Sequence, residues 1–186
     1  MDNPGTLCVF AGSHSGTNPH HLAAAVALGQ AMARRGTGLV YGGAHCGLMG
    51  ALADAVLQGG GRAVGVMPRA LVAREKAHRG LTELIITEDM HSRKARMVQL
   101  SGGFLALPGG FGTLDELFEV LTWAQLGIHA KPVGLLNSDG FWDGLLAFLG
   151  QVEAHGFLHG DGLAGLPCEA DPDRLLDRLA PRSLST

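Results

Sequence analysis

The 186-residue sequence lacks the features that several large protein classes require. Aromatic residues make up only 5% of the chain, and there is no lysine–arginine run with interleaved aromatics. With a net charge of −3, the composition therefore does not indicate a nucleic-acid surface. No apolar run approaches the roughly 20 residues that a membrane-spanning helix needs. We predict a protein that acts on neither nucleic acid nor membranes.

Cysteine is also scarce. Cys8, Cys46 and Cys168 are odd in number and show no C-x-x-C spacing, so the sequence predicts neither a disulfide framework nor a cysteine-based metal site. The segment Met1-Asp-Asn-Pro-Gly does not resemble the start of a signal peptide. We therefore predict a cytoplasmic protein with free thiols.

The sequence is rich in apolar residues, and short apolar runs alternate with longer stretches of helical periodicity. Hydrophobic residues make up 46% of the sequence, enough at this length for one substantial core. Short apolar runs typical of buried parallel strands alternate with stretches of helical periodicity, which implies right-handed crossovers and helices on both faces of a sheet. We predict one Rossmann-like, doubly wound α/β domain over residues 1–186. Its strands are expected at Leu7–Ala11, Gly38–Tyr41, Ala63–Met67, Glu83–Thr87, Phe104–Leu107 and Pro132–Leu136.

Helices are predicted between these strands from capping signals and periodicity. Asn18-Pro19 is a typical helix start, and Arg34-Arg35-Gly36 is a typical end. Further helices are expected over 48–57, 90–100, 114–125 and 141–154. The C-terminal tail, 155–186, is predicted to contain one short helix near 173–179.

Glycine loops follow three of the predicted strands: Gly12–Gly16, Tyr41–Gly50 and Pro108–Thr113. Ligands in open α/β sheets bind beyond the carboxyl ends of the strands, so three such loops at one edge favour a binding site over three unrelated tight turns. None has the G-x-G-x-x-G dinucleotide pattern or the Gly-Lys-Ser/Thr ending of a P-loop. The sequence therefore predicts a mononucleotide or sugar-phosphate site.

The loop Pro108–Thr113 leads into a helix, and Thr113 is the predicted N-cap. Backbone amides and the helix macrodipole there favour a bound anion. Asp115 and Glu116 then fall in the first predicted turn. Two interpretations of Glu116 stay open: a catalytic carboxylate beside a phosphate, or the partner in a Thr113-x-x-Glu116 capping box. Loss of a cap costs about 1 kcal/mol of stability, whereas loss of a catalytic acid or base costs about 10²- to 10⁴-fold in rate.

A basic cluster lies at the start of the helix predicted over residues 90–100. Arg93 and Arg96 are three residues apart on one face, with Lys94 beside them. Cations near a helix N-terminus oppose the macrodipole, so a local stabilising role is not evident. The two interpretations are a solvated basic face and a set of guanidinium groups that hold phosphate or base.

These motifs resemble those of the LONELY GUY (LOG) family, whose members were formerly called lysine decarboxylases. The family signature P-G-G-x-G-T-x-x-E stands here as Pro108 to Glu116, and its partner M-H-x-R-K stands as Met90 to Lys94. The resemblance spans roughly residues 6 to 150. Two departures are visible: Ala44 replaces a usual glycine, and Ser92 stands where many members carry glutamate.

The resemblance implies hydrolysis of cytokinin riboside 5′-monophosphates, and also of AMP, to free base and ribose 5-phosphate. It implies no metal or other cofactor, and a homodimer or hexamer with sites near the subunit interface. The implied catalytic pair is Arg93 and Glu116. The implied substrate-binding residues are Gly12, Ser13, Gly43, Glu75, Met90, Lys94, Pro108, Gly109, Gly110, Phe111, Gly112, Thr113, Asp115 and Thr122.

Other functions remain open at this stage. One is a general purine nucleotide nucleosidase with AMP as its substrate, and another is a non-catalytic nucleotide carrier on the same fold. Lysine decarboxylation is least supported, because pyridoxal phosphate chemistry needs a Schiff-base lysine and none of the chain's three lysines has an evident claim to that role. Base selectivity is assigned to a pocket lined by Met90, Met97 and Trp123.

Overall fold

A computed structural model describes residues 5–72, 77–158 and 162–180. Strands and helices alternate along the chain, as the sequence predicts. The elements are β1 (Thr6–Phe10), α1 (Pro19–Arg34), β2 (Gly38–Tyr41), α2 (Gly47–Gln58), β3 (Ala63–Pro68), β4 (Glu83–Thr87), α3 (Met90–Leu100), β5 (Gly103–Ala106), α4 (Phe111–Gln125), β6 (Val133–Leu136), α5 (Asp143–Ala154), β7 (Cys168–Glu169) and α6 (Pro172–Leu179).

The strands form one parallel sheet in the order β4-β3-β2-β1-β5-β6-β7. β1 lies between β2 and β5, so the strand order reverses at this point. The ends of β1 and β5 are aligned, with Cys8 opposite Phe104 and Phe10 opposite Ala106. A crevice opens where connections leave such a switch point on opposite faces of the sheet, and ligands bind there. The predicted doubly wound fold is confirmed.

Two apolar layers cover the sheet, and the period-two alternation of the strands separates them. In β1, Leu7 and Val9 face the layer formed by α1, α2 and α6, while Cys8 and Phe10 face the layer that contains α3, α4 and α5. The second layer buries Met97 from α3 and Leu117 from α4 against the sheet. Both helices are thereby fixed at the carboxyl edge, where the glycine loops lie.

Six predicted strands are confirmed to within one or two residues, and β7 is an additional two-residue strand in the C-terminal tail. The predicted start of α4 is wrong. The helix begins at Phe111 with Gly110 as its N-cap, so Thr113 lies inside the first turn, and Asp115 and Glu116 lie beyond it. The low helix propensity of Gly112 favours a later start, but the first helical hydrogen bond already runs from the Leu114 amide to the Gly110 carbonyl.

Within the ranges the structure describes, no helix combines the length and the apolar character needed to cross a bilayer.

Candidate active site

A cleft of about 510 Å³ lies at the carboxyl ends of β1 and β5. The first glycine loop forms one wall, and the loop Pro108–Gly110 with the N-terminus of α4 forms another. The two loops are joined directly, since the Gly12 amide donates to the Pro108 carbonyl at 3.0 Å. A Cβ on Gly109 would collide with the Thr113 side chain, so only glycine lets the loop lie this close to its own helix.

The N-terminus of α4 has no cap that satisfies its amides. Gly110 has no side chain, and the first helical bond runs from the Leu114 amide to the Gly110 carbonyl at 3.1 Å. The amides of residues 110–113 donate to no residue among those described. At α2, by contrast, the amides of Leu48 and Met49 both donate to the Gly12 carbonyl. The α4 terminus therefore offers the cleft unused donors and a positive dipole end for an anion.

Arg93 and Glu116 form a buried ion pair in the wall of this cleft. Arg93 Nη1 lies 3.0 Å from Glu116 Oε1, and each residue is 8% exposed. The contact is not a well-directed hydrogen bond, because Oε1 accepts none from the residues that the structure describes. Arg93 is held separately, since its Nε donates to the Val66 carbonyl at 3.1 Å. The pair thus presents a buried carboxylate oxygen with acceptor capacity left over.

Gly42 makes room for this guanidinium. A Cβ at position 42 would lie 2.5 Å from Arg93 Nη2 and 3.0 Å from Met49 Sδ. The Met90 sulfur lies 4.0 Å from Arg93 Nη1 on another side. Arg93 is therefore enclosed by the end of β3, the loop after β2 and two methionines.

The pKa of the Glu116 carboxyl is set by burial and by the charges around it. Burial raises the pKa of the Glu116 carboxyl, and the Arg93 guanidinium offsets part of that rise. Asp115 raises the pKa further, and Lys94 lowers it. The site therefore holds a carboxylate that is more basic than an exposed glutamate, as general-base chemistry near neutral pH requires.

Lys94 connects the two helices that carry the pair. Its Nζ lies 3.1 Å from Asp115 Oδ2 and 3.0 Å from Glu119 Oε1, and its side chain is 14% exposed. It does not line the cleft. These contacts of Lys94 hold α3 against α4 and so keep Arg93 opposite Glu116.

The cleft brings together most of the predicted site residues. Those that line it are Gly12, Ser13, Met90, Arg93, Pro108, Gly109, Gly110, Phe111, Gly112, Thr113 and Glu116. Four others do not: Lys94, Asp115 and Thr122 on helices, and Gly43, whose carbonyl instead accepts from the His78 amide. Glu75 lies outside the described residues.

Three expectations about the site do not hold. Of the two interpretations of Glu116, the capping box is excluded, because Thr113 is not the N-cap of α4 and Glu116 faces Arg93. Arg96 does not join Arg93, since it is exposed and its side chain contacts Gln99 at 3.5 Å. The predicted base pocket is reduced to Met90, because Met97 is buried in the core and Trp123 does not line the cleft.

The basic start of α3 is explained by a capping box that the sequence analysis missed. The Ser92 amide donates to Asp89 Oδ1 at 2.8 Å, and the Asp89 amide donates to Ser92 Oγ at 3.2 Å. Asp89 also places a negative charge at the positive dipole end. The signal was present as Asp89-x-x-Ser92, with serine in place of the usual glutamate or glutamine. Ser92, a departure from many LOG sequences, is therefore part of a cap in this chain.

The sequence patterns did not identify several other residues that line the cleft. Leu71 and Met49 form part of the apolar lining, and His21 and Phe141 line the opposite end. Phe141 follows β6, and His21 lies in α1, so only the fold brings them to the same cleft.

Comparisons with known proteins identify a family for this chain. Residues 49–179 match the family model described as "Possible lysine decarboxylase". A cytokinin riboside 5′-monophosphate phosphoribohydrolase of Arabidopsis thaliana, LOG7, is 49% identical over 152 residues, covering 82% of this chain and 70% of the relative. The LOG enzyme of Oryza sativa subsp. japonica, with the same activity in its name, is 48% identical over 155 residues, covering 83% and 64%.

The chain belongs to the LOG family.

Solved structures agree with the fold at lower identity. A molybdenum cofactor binding protein from Rippkaea orientalis superposes with a TM-score of 0.67 at 24% identity, covering 92% of this chain and 93% of that one. A molybdenum cofactor carrier protein from Chlamydomonas reinhardtii gives 0.69 at 21% identity, covering 95% and 98%. At this identity the likeness concerns the fold, so the LOG fold is shared with proteins that carry a cofactor.

Proposed function

We propose that this protein hydrolyses the N-glycosidic bond of nucleoside 5′-monophosphates, cytokinin riboside 5′-monophosphates above all, to free base and ribose 5-phosphate. One observation carries the proposal: an uncapped helix N-terminus and a buried Arg93–Glu116 ion pair line the same cleft. The first suits a 5′-phosphate, and the second suits charge that develops at the sugar. The activity named for relatives about 50% identical supports the same reaction.

Glu116 has the central role in the mechanism. Cleavage of an N-glycosidic bond develops positive oxocarbenium character on the ribose, as in O-glycoside hydrolysis. The carboxylate stabilises that charge and orients or deprotonates the attacking water. Its buried Oε1, which accepts no hydrogen bond within the described residues, has acceptor capacity for that water or for a ribose hydroxyl.

Arg93 acts through its charge. A guanidinium has a pKa above 12, so it is a poor proton donor. In this site it favours the ionised form of Glu116 against the effect of burial, and it stabilises negative charge on the departing base or the phosphate.

The roles of the other residues that line the cleft are proposed from their positions. The amides of Gly110–Thr113 hold the phosphate, with the close-packed residues Gly12, Ser13, Pro108 and Gly109 shaping its pocket. Met90 lines the wall next to Arg93, where the base leaves. The mechanism requires no metal or redox cofactor.

The alternatives are a general purine nucleotide nucleosidase and a nucleotide carrier. A carrier needs the phosphate loop but has no use for a buried ion pair beside it, because such a pair is costly to desolvate. Lysine decarboxylation is not favoured, since the lysines within the described ranges, Lys94 and Lys131, do not line the cleft.

A substrate panel tests the proposal. The intact protein is incubated with AMP, N6-isopentenyl-AMP and adenosine, and the released base is measured by chromatography. We expect both nucleotides to be cleaved and adenosine to react at least about tenfold more slowly in kcat/KM, because it lacks the phosphate that the α4 amides bind. A higher kcat/KM for N6-isopentenyl-AMP assigns cytokinin activation, and a higher value for AMP assigns general nucleotide hydrolysis. Binding without release of base would leave only the carrier.

The pH dependence of kcat/KM follows from Glu116. The carboxylate acts in its ionised form, and burial raises its pKa in the free protein, so kcat/KM falls as the pH falls through that raised value. We expect the acid limb above the ordinary glutamate value of about 4.3, measured with AMP well below KM from pH 4 to pH 8. A kcat/KM that stays constant down to pH 4.3 would contradict the assignment of Glu116 as the base.

We also propose a homodimer, or a hexamer built from such dimers, in the cytoplasm. Phe111 and Phe118 are 93% and 38% exposed and lie on one stripe of α4 with Asp115 and Thr122, the predicted site residues found outside the cleft. A partner packed on this stripe would bring those two residues into an interface.

The proposed cytoplasmic location is consistent with the three cysteines. They are free thiols, as a reducing compartment maintains them.

A further inference from the structure

His21 lines the cleft and is held there on one side of its ring. Its Nδ1 lies 3.1 Å from Ser138 Oγ, and its ring meets that of Phe141 edge-on, with centroids 5.5 Å apart and planes at 80°. Its Nε2 has no hydrogen-bond partner among the described residues. The imidazole is therefore fixed in position with one nitrogen available.

The loop that holds His21 is itself braced. Asp139 has φ 53° and ψ 37°, a left-handed conformation that is uncommon for a residue other than glycine. The Asn18 side chain, which caps α1, donates from Nδ2 to Asp139 Oδ2 at 2.6 Å. Such backbone strain persists only where the surroundings fix it, and it is concentrated at functional sites. The brace joins the start of α1 to the loop after β6, across the cleft's end.

Strand order places His21 relative to the ion pair. Arg93 contacts Val66 at the end of β3 and lies against Gly42 after β2, on one side of the switch point. The α4 N-terminus follows β5, and the Phe141 loop follows β6, on the other side. A nucleotide with its ribose at the ion pair and its phosphate at α4 therefore directs the phosphate towards His21 and the base away from it.

The charges in the cleft leave the phosphate short of a cation. Among the described lining residues, Arg93 is the permanent cation, and Glu116 already pairs with it. Lys94 is bound by Asp115 and Glu119. A phosphate monoester carries a charge of about −1.5 to −2 near pH 7, so a further N–H donor in the cleft that holds the α4 amides would strengthen its binding.

We propose that His21 is a ligand of the substrate's 5′-phosphate, donating from Nε2. The assignment rests on the proposed function. The other charged or titratable residues that line the cleft are His14, Arg93 and Glu116. Asp139 lies in the loop that holds His21 and accepts a hydrogen bond from Asn18.

The test is calorimetric binding of ribose 5-phosphate at pH 6 and pH 8 to the wild type, His21→Asn and His20→Asn. His20 is the matched control, because it is exposed and does not line the cleft. The comparison between proteins at one pH cancels the titration of the phosphate itself. We expect His21→Asn to weaken binding about tenfold or more at both pH values, with His20→Asn unchanged. If His21→Asn does not fold, Ser138→Ala, which removes the hydrogen-bond partner of Nδ1, is expected to give a smaller loss.

Two results would overturn the proposal: undiminished binding by His21→Asn, or a kcat/KM for adenosine that falls as much as that for AMP in this variant. The second would mean that His21 shapes the cleft instead of binding phosphate. A failure of the proposed function is distinguishable, because ribose 5-phosphate would still bind in a His21-dependent way to a protein that cleaves no nucleotide.

Discussion

Glu116→Gln is expected to lower kcat for release of adenine from AMP by about 10²- to 10⁴-fold, while KM changes far less. The amide keeps the size of the side chain and can still lie beside Arg93, but it carries no charge to stabilise an oxocarbenium ion and cannot accept a proton from water. We expect substrate affinity to be retained, because the α4 amides proposed to bind the phosphate are not touched by the substitution. Steady-state kinetics on the purified variant measures both parameters.

The matched control is Glu119→Gln, on the same helix. Glu119 pairs with Lys94 and does not line the cleft, and Asp115 still holds Lys94 when Glu119 is replaced. Its loss should therefore change kcat by less than about threefold and weaken only a partly exposed ion pair. Equal losses in the two variants would mean that the helix, not the Glu116 carboxylate, matters. An active Glu116→Gln protein would remove Glu116 from the mechanism.

Arg93→Met is expected to lower the free energy of unfolding by about 3–5 kcal/mol at pH 7, in addition to reducing activity. The substitution leaves the Glu116 carboxylate buried without its partner, and the pKa of that carboxyl rises further because the guanidinium no longer offsets burial. A carboxyl whose pKa is raised in the folded state is destabilising only where it ionises on unfolding. The deficit is therefore small below about pH 4, where both states are protonated, and grows as the pH rises through the unfolded value of about 4.3.

Urea unfolding at pH 4 and pH 7 checks this, with Arg96→Met as the control on the same helix. Arg96 is exposed, so its replacement should cost less than about 0.5 kcal/mol at either pH. A deficit in Arg93→Met that is the same at both pH values would indicate lost packing alone. A variant as stable as the wild type at pH 7 would contradict the buried ion pair.

The parts of the fold that the sequence predicts are those with local causes. Buried strands such as Phe104–Leu107 are short apolar runs bounded by turn residues, and Asn18-Pro19 carries its helix start in two adjacent residues. The start of α4 was mispredicted because Thr113 is a good N-cap by type, whereas the helix begins at Phe111 with the uncapped Gly110 before it. The short strand β7 is defined by pairing with β6, not by an apolar pattern of its own.

The candidate site also contains features that the sequence predicts and features that only the fold creates. The glycine loop and Glu116 are contiguous in sequence and could be found from it, and the family resemblance identified Arg93. The contacts that define their chemistry are long-range: Gly42 opposite the Arg93 guanidinium, Lys94 between Asp115 and Glu119, and His21 against Ser138. No periodicity or spacing encodes such contacts, because the sheet order alone brings those segments together.

The most direct test of the central claim is a paired measurement of binding and products. Wild type and Glu116→Gln are titrated with AMP by calorimetry, and each is then assayed for adenine and ribose 5-phosphate. We predict that both proteins bind AMP with similar affinity, and that only the wild type releases the two products, in equal amounts. Inorganic phosphate in place of ribose 5-phosphate, or a wild type that binds AMP and releases neither product, would contradict N-glycosidic hydrolysis at this site.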